Sequence, residues 1–87
     1  LQSLSTEIVE KRIVTILLKL SEKTGVENSE YQQIDFPLTR KEIADMVGTS
    51  TETCIRIMSN LQKLGMVRST RKRILVKPGA LKEFFDQ

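Results

Sequence analysis

A chain of 87 residues with 39% apolar and 29% charged side chains describes one small domain. It can bury roughly 60% of its unfolded surface, and its apolar runs, such as Ile16-Leu17-Leu18 before Lys19, fall far short of the ~20 residues of a membrane span. Zero histidines and a single cysteine exclude an internal disulfide, a histidine-based catalytic triad and the commonest zinc ligand, so an enzyme is not expected. The net charge of +3 is uneven: Thr49 to Lys77 carry seven basic residues against Glu52 alone, a net +6, while the rest of the chain carries −3. Such a patch points to a polyanion, most simply nucleic acid, with a solvated surface as the alternative.

Residues 5–23 read as an amphipathic helix. Val9, Ile13, Ile16, Leu17 and Leu20 fall on one face, at helical spacing. Ser5 suits the N-cap, Glu7 the first turn, and Gly25 the stop. Residues 26–30 read as a polar loop, and Tyr31 to Phe36 as a short strand ended by Pro37. Thr39-Arg40-Lys41-Glu42 has the form of a capping box, with Leu38 and Ile43 at the staple positions. This second helix is short because Gly48 follows, and Ile43, Ala44, Met46 and Val47 supply its apolar side. A third helix starts near Ser50. Cys54, Met58 and Leu61 form its stripe, Ile57 and Leu64 widen it, and Gly65 ends it. Two helices joined through Gly48 by a few residues make a helix-turn-helix.

Beyond Gly65 the period becomes that of strands. Met66 to Ser69 and Ile74 to Val76 flank the polar Thr70-Arg71-Lys72-Arg73, which reads as a β-hairpin lacking the usual turn glycine or asparagine. Pro78 suits the first position of a last helix carrying Leu81, Phe84 and Phe85. The expected fold is therefore mostly α with a small β-sheet, a winged helix-turn-helix over residues 1–87, with the helix-turn-helix at about 39–64 and the wing at about 66–76.

Pro37 to Gly48, followed by Ser50 to Val67 with Glu52-Thr53 and Arg56 in place, resembles the C-terminal DNA-binding domain of the Crp/Fnr transcription regulators. The resemblance runs over nearly the whole chain. It implies that the helix from about Ser50 to Leu64 enters the major groove of double-stranded DNA. Glu52 and Arg56 match the family's base-reading pair; arginine can take guanine O6 and N7, and glutamate can accept from cytosine N4. Thr39, Arg40, Ser50 and Thr53 match positions that approach phosphates. The chain departs from well-known members at Thr51 and Ile55, which flank the pair as further base-contact candidates; Ile55 could meet a thymine methyl. Arg71, Lys72 and Arg73, with Arg68 nearby, make the densest charge cluster, either a solvated hairpin tip or a wing contacting the backbone.

The resemblance further implies an N-terminal effector-sensing jelly roll and a long dimerisation helix beyond this chain, with residues 1–8 as the linker stub; Leu1 in place of methionine agrees with a piece of a longer protein. The full-length protein is then expected to be a homodimer on a pseudo-palindromic site, to admit RNA polymerase as a partner, and to reside in the cytoplasm away from membranes. No cofactor is expected in these residues, and cyclic nucleotide, haem, iron–sulfur cluster and metabolite all stay open as the effector. Three competing readings accompany this one. Glu52 could close a capping box begun by Thr49. Cys54 could be a redox sensor, although its place in the apolar stripe favours burial, as for the core-filling Met46, Met58 and Met66. The wing could dock an acidic protein, making the fold an interaction module. Tyr31, Phe36, Phe84 and Phe85 are too scattered for a single-strand stacking platform.

Overall fold

The computed structural model describes residues 5–24, 26–28, 30–70 and 73–86. In order they form α1 (Thr6–Thr24), β1 (Val26–Asn28), β2 (Tyr31–Gln33), α2 (Arg40–Val47), α3 (Thr51–Lys63), β3 (Val67–Thr70), β4 (Arg73–Val76) and α4 (Pro78–Phe85). This is a winged helix: four helices around an apolar core, with a hairpin of β3 and β4 following α3.

Helix α1 starts where Ser5 Oγ accepts the Ile8 N–H at 3.3 Å, satisfying one of the donors a helix start leaves over. Val9, Ile13 and Leu17 are buried as their spacing requires, and Val14 joins them, whereas Ile16 and Leu20 lie at the margin, packed against the core. Gly25, the expected helix stop, lies outside the described residues.

The loop expected over residues 26–30 is corrected at its start: β1 pairs with β2 antiparallel, Val26 opposite Gln33 and Asn28 opposite Tyr31. A polar edge strand is held by backbone hydrogen bonds, which leave no apolar alternation to read. The expected strand over 31–36 is shortened to Tyr31–Gln33. Ile34 still donates its N–H to the Ile74 carbonyl at 2.9 Å and is fully buried, but the chain bends at Asp35 and Phe36 to enter α2. The sheet order is β1-β2-β4-β3, with Gln32 opposite Val76 and Val67 also opposite Val76 on the other side.

The capping box of α2 is formed: Thr39 Oγ1 accepts the Glu42 N–H at 3.1 Å, and Glu42 Oε1 accepts the Thr39 N–H at 2.9 Å. Leu38 and Ile43 are buried on either side of it, as a hydrophobic staple requires. Gly48, at φ 81°, ends the helix in the left-handed conformation that a residue without Cβ adopts at little cost. Two apolar residues depart from the expected core. Met46 is 52% exposed and Leu64 53% exposed. At 100° per residue, Met46 lies about 110° round α2 from the centre of the face made by Ile43, Ala44 and Val47. Leu64 is the C-cap of α3, beyond the last turn that its stripe could follow. Met58 is fully buried and Met66 packs against the core from its edge.

Cys54, Ile57, Met58 and Leu61 turn the inner face of α3 to the core, where they join the buried residues of α1 and α2 together with Val67, Ile74, Val76 and Leu81. Pro78 stands in the first turn of α4, where its missing N–H is no loss. Helix α4 then packs on α1 through Leu81, with Phe84 beside the core.

Candidate nucleic-acid interface

With its apolar stripe committed inward, α3 presents Thr51, Glu52, Ile55, Arg56, Ser59 and Asn60 outward, all exposed. Ser50 is the N-cap: its Oγ accepts the Thr53 N–H at 3.1 Å, and its hydroxyl donates to Thr53 Oγ1 at 2.9 Å. Arg56 Nη2 reaches the same Thr53 oxygen at 3.5 Å. An oxygen that accepts from both neighbours keeps its own O–H to donate outward. Ser50, Thr53 and Arg56 therefore form one polar patch at the positive end of the helix dipole, a setting that favours an anion.

Ser50 as the cap puts Glu52 at the second helical position rather than the third. The capping box that would have begun at Thr49 and tied up Glu52 is thus not formed, which corrects that alternative. Among the described residues, nothing hydrogen-bonds to or pairs with the Glu52 carboxylate. Glu52 and Arg56 lie one turn apart on the same outer face, with Ile55 beside them, 51% exposed. Ser59, Asn60 and Lys63 continue this face, and Thr6 of α1 closes the shallow depression beside it. Those four residues were not singled out from sequence. The first three follow the outward period of Glu52 and Arg56, so a signal existed; Thr6 is brought there only by the packing of α1 and left no local signal.

The remaining described sequence candidates are spread over α2, β3 and β4. Thr39 uses its hydroxyl oxygen as the cap of α2. Arg40, half-buried in the first turn of α2, donates Nη2 to Ser69 Oγ of β3 at 2.8 Å, so its guanidinium fastens the helix-turn-helix to the wing. Arg73 is half-buried and pairs opposite Thr70. Arg71 and Lys72 lie outside the described residues. Arg68 does not join the tip: its guanidinium lies over the Tyr31 ring, 5.0 Å from the centroid, while Lys77 stands 5.8 Å from that ring and pairs with Glu30 at 3.2 Å. The basic cluster read along the chain therefore divides: Arg68 and Arg73 share a face of the hairpin, but Arg68 is drawn along the sheet to Tyr31 of β2.

Cys54 is fully buried beneath α3. Burial pushes its thiol up from the ordinary range, and the Arg40 guanidinium pulls more weakly the other way. The thiol is thus kept from the thiolate form that a reactive cysteine needs. Among the described residues, no group of three or more cysteine, aspartate or glutamate side chains is arranged to hold a metal ion, and no helix is long and apolar enough to cross a membrane.

Comparison with known proteins agrees with this architecture. Residues 11–84 match the model of the Crp-like helix-turn-helix domain. The chain is 29% identical over 76 residues to a probable transcriptional activator of Rhizobium leguminosarum bv. viciae, covering 87% of this chain and 32% of that protein. It is 30% identical over 86 residues to the global nitrogen regulator of Synechocystis sp., covering 98% and 38% respectively. The chain therefore spans about a third of the length of these relatives. Among solved structures, the CO-dependent transcription factor CooA from Carboxydothermus hydrogenoformans, in its imidazole-bound form, superposes with a TM-score of 0.77 at 26% identity, covering 87% of this chain and 36% of that one. A CRP/FNR-family transcriptional regulator from Thermus thermophilus gives 0.75 at 28% identity, covering 90% and 40%. A family match over residues 11–84, on a fold that carries the capped α2, the Gly48 turn and the outward pair of α3, means that this chain belongs to the Crp-like helix-turn-helix domain family.

Proposed function

We propose that the chain binds double-stranded DNA sequence-specifically, as the output domain of a Crp/Fnr-like transcription regulator, with α3 in the major groove. The observation that carries this reading is the exposed Glu52 carboxylate one turn from Arg56 on the outer face of α3, beside a helix start already arranged for an anion. Glu52 and Arg56 read base edges, Thr51 and Ile55 tune the flanking positions, and Ser50 and Thr53 hold a phosphate. Thr39 and Arg40 approach a neighbouring phosphate, and Arg71, Lys72 and Arg73 follow the backbone from the wing. The relatives named transcriptional activators and regulators support the same role. Residues 1–87 act as one winged-helix domain, with residues 1–8 joining it to a sensor. The whole protein works in the cytoplasm as a homodimer on half-sites about one helical turn apart, with RNA polymerase as a further partner. It is a binding protein rather than an enzyme.

Selection of bound duplexes from a random pool tests this. An enriched half-site with a guanine whose loss weakens binding is the expected result. A second reading, an interaction module whose basic side takes an acidic protein, is favoured by the Lys77–Glu30 pair, in which that side already holds a carboxylate. Absence of any gel shift with random duplex at low salt would favour that module and overturn the DNA reading.

A further inference from the structure

Helix α2 leaves its last carbonyls without intrahelical partners, and its last turn holds no basic residue. The Gly48 and Thr49 N–H groups both return to the Ala44 carbonyl, at 2.9 and 3.0 Å. The Val47 carbonyl, the one immediately before the turn, takes a partner from elsewhere: Arg12 of α1, 35 residues away in sequence, donates Nη1 to it at 3.1 Å. The guanidinium lies over the turn itself, since a Cβ built on Gly48 would stand 3.9 Å from Arg12 Nη1. A cation at this end of a helix is also favoured by the dipole, and a planar guanidinium loses less freedom than an ammonium when it makes such a bond.

We propose that Arg12 is a positioning residue for α3: it holds the turn between α2 and α3 to α1 and so sets the angle at which α3 is presented. This rests on the reading of α3 as the DNA-reading helix. Val47 is only three residues from Ser50, the cap of α3, so a shift of its carbonyl is a shift at the hinge of that helix. Arg56 lies six residues beyond the cap, about 9 Å along the axis. A tilt of roughly 6° at the turn moves Arg56 by about 1 Å, enough to spoil a bidentate contact whose distances must fall within a few tenths of an ångström. Phosphate contacts, which tolerate water and side-chain adjustment, suffer less. Arg12 therefore acts on discrimination without touching a base.

The test compares the unaltered chain with Arg12→Gln and Arg12→Lys on a selected duplex and on a random duplex, with amide exchange at Gly48 and Thr49 measured in parallel. Arg12→Gln should lose about ten-fold on the selected duplex, stay within about two-fold on the random one, and speed exchange at both amides. Arg12→Lys keeps a donor within reach and should recover most of the loss; it also serves if the glutamine variant fails to fold, since its smaller loss should still fall on the selected duplex alone. Equal losses on both duplexes would make Arg12 a phosphate contact and overturn the proposal, as would folded variants that match the parent. Failure of the unaltered chain to bind any duplex would instead overturn the DNA reading on which the proposal stands.

Discussion

Arg56 illustrates how much a single side chain depends on its neighbours. Its guanidinium leans on Thr53 at 3.5 Å, a contact long enough to yield to a better acceptor, and it faces outward with Glu52. Replacing it with alanine should cost about 1–3 kcal/mol on the preferred duplex and relax discrimination at one base pair. Competition titrations with single-base variants check this, and equal weakening on every duplex would make it a phosphate contact. Cys54 is the opposite case, a side chain with no surface. Cys54→Ala should lower stability on the order of 1–2 kcal/mol through lost packing, and Cys54→Asp far more, by burying a charge. Its folded thiol is pushed up, so the stabilisation it gives is complete below the ordinary thiol range and is lost as pH rises through the folded value. Denaturant melts from pH 7 to pH 10 should show that decline, and Cys54→Ala should lack it. The outward pair and the buried cysteine were legible because helical period separates the two faces of α3. The Arg40–Ser69 bond was not, since its partners are 29 residues apart and neither residue type announces the other.

At the scale of elements, legibility followed how locally each one is determined. The two ends of helix α2 were readable to the residue because its cap, staple and terminal glycine all lie within a dozen positions. Strand β1 was missed because its pairing with β2 is a backbone matter, and Leu64 was misplaced because the apolar pattern runs one residue past the helix that carries it. The wing combines both cases. Its strands followed from short apolar runs after Gly65, but the division of its charges, with Arg68 drawn over Tyr31, depends on a strand pairing that no local pattern encodes. If the tip touches only the sugar–phosphate rim, replacing Arg71 and Lys72 together with alanine should weaken binding to all duplexes by similar factors. Each lost phosphate contact removes about 0.9 from the slope of log affinity against log salt, so a fall of about one to two units is expected. Salt titrations on selected and random duplexes measure it, and an unchanged slope would leave the tip as a solvated charge face.

For the molecule as a whole, the constraint is size. A domain this small is stabilised by about 5–10 kcal/mol in total, and one core serves its helices and its wing. Leu17, fully buried in α1 far from the outward face of α3, should cost about 2–5 kcal/mol when cut to alanine. Thermal melts should therefore show a large drop, with DNA affinity recovered on cooling or on adding ligand, because binding draws the equilibrium back to the folded state. The joint between sheet and helices has an optical consequence. The chain has one tyrosine and no tryptophan. That tyrosine, Tyr31, donates its hydroxyl to the Gly65 carbonyl at 2.8 Å, just past the end of α3, with two cations against its ring. Emission excited near 280 nm thus comes from this one place, and any tilt of α3 against the sheet will be written in the brightness of a single phenol, without a label.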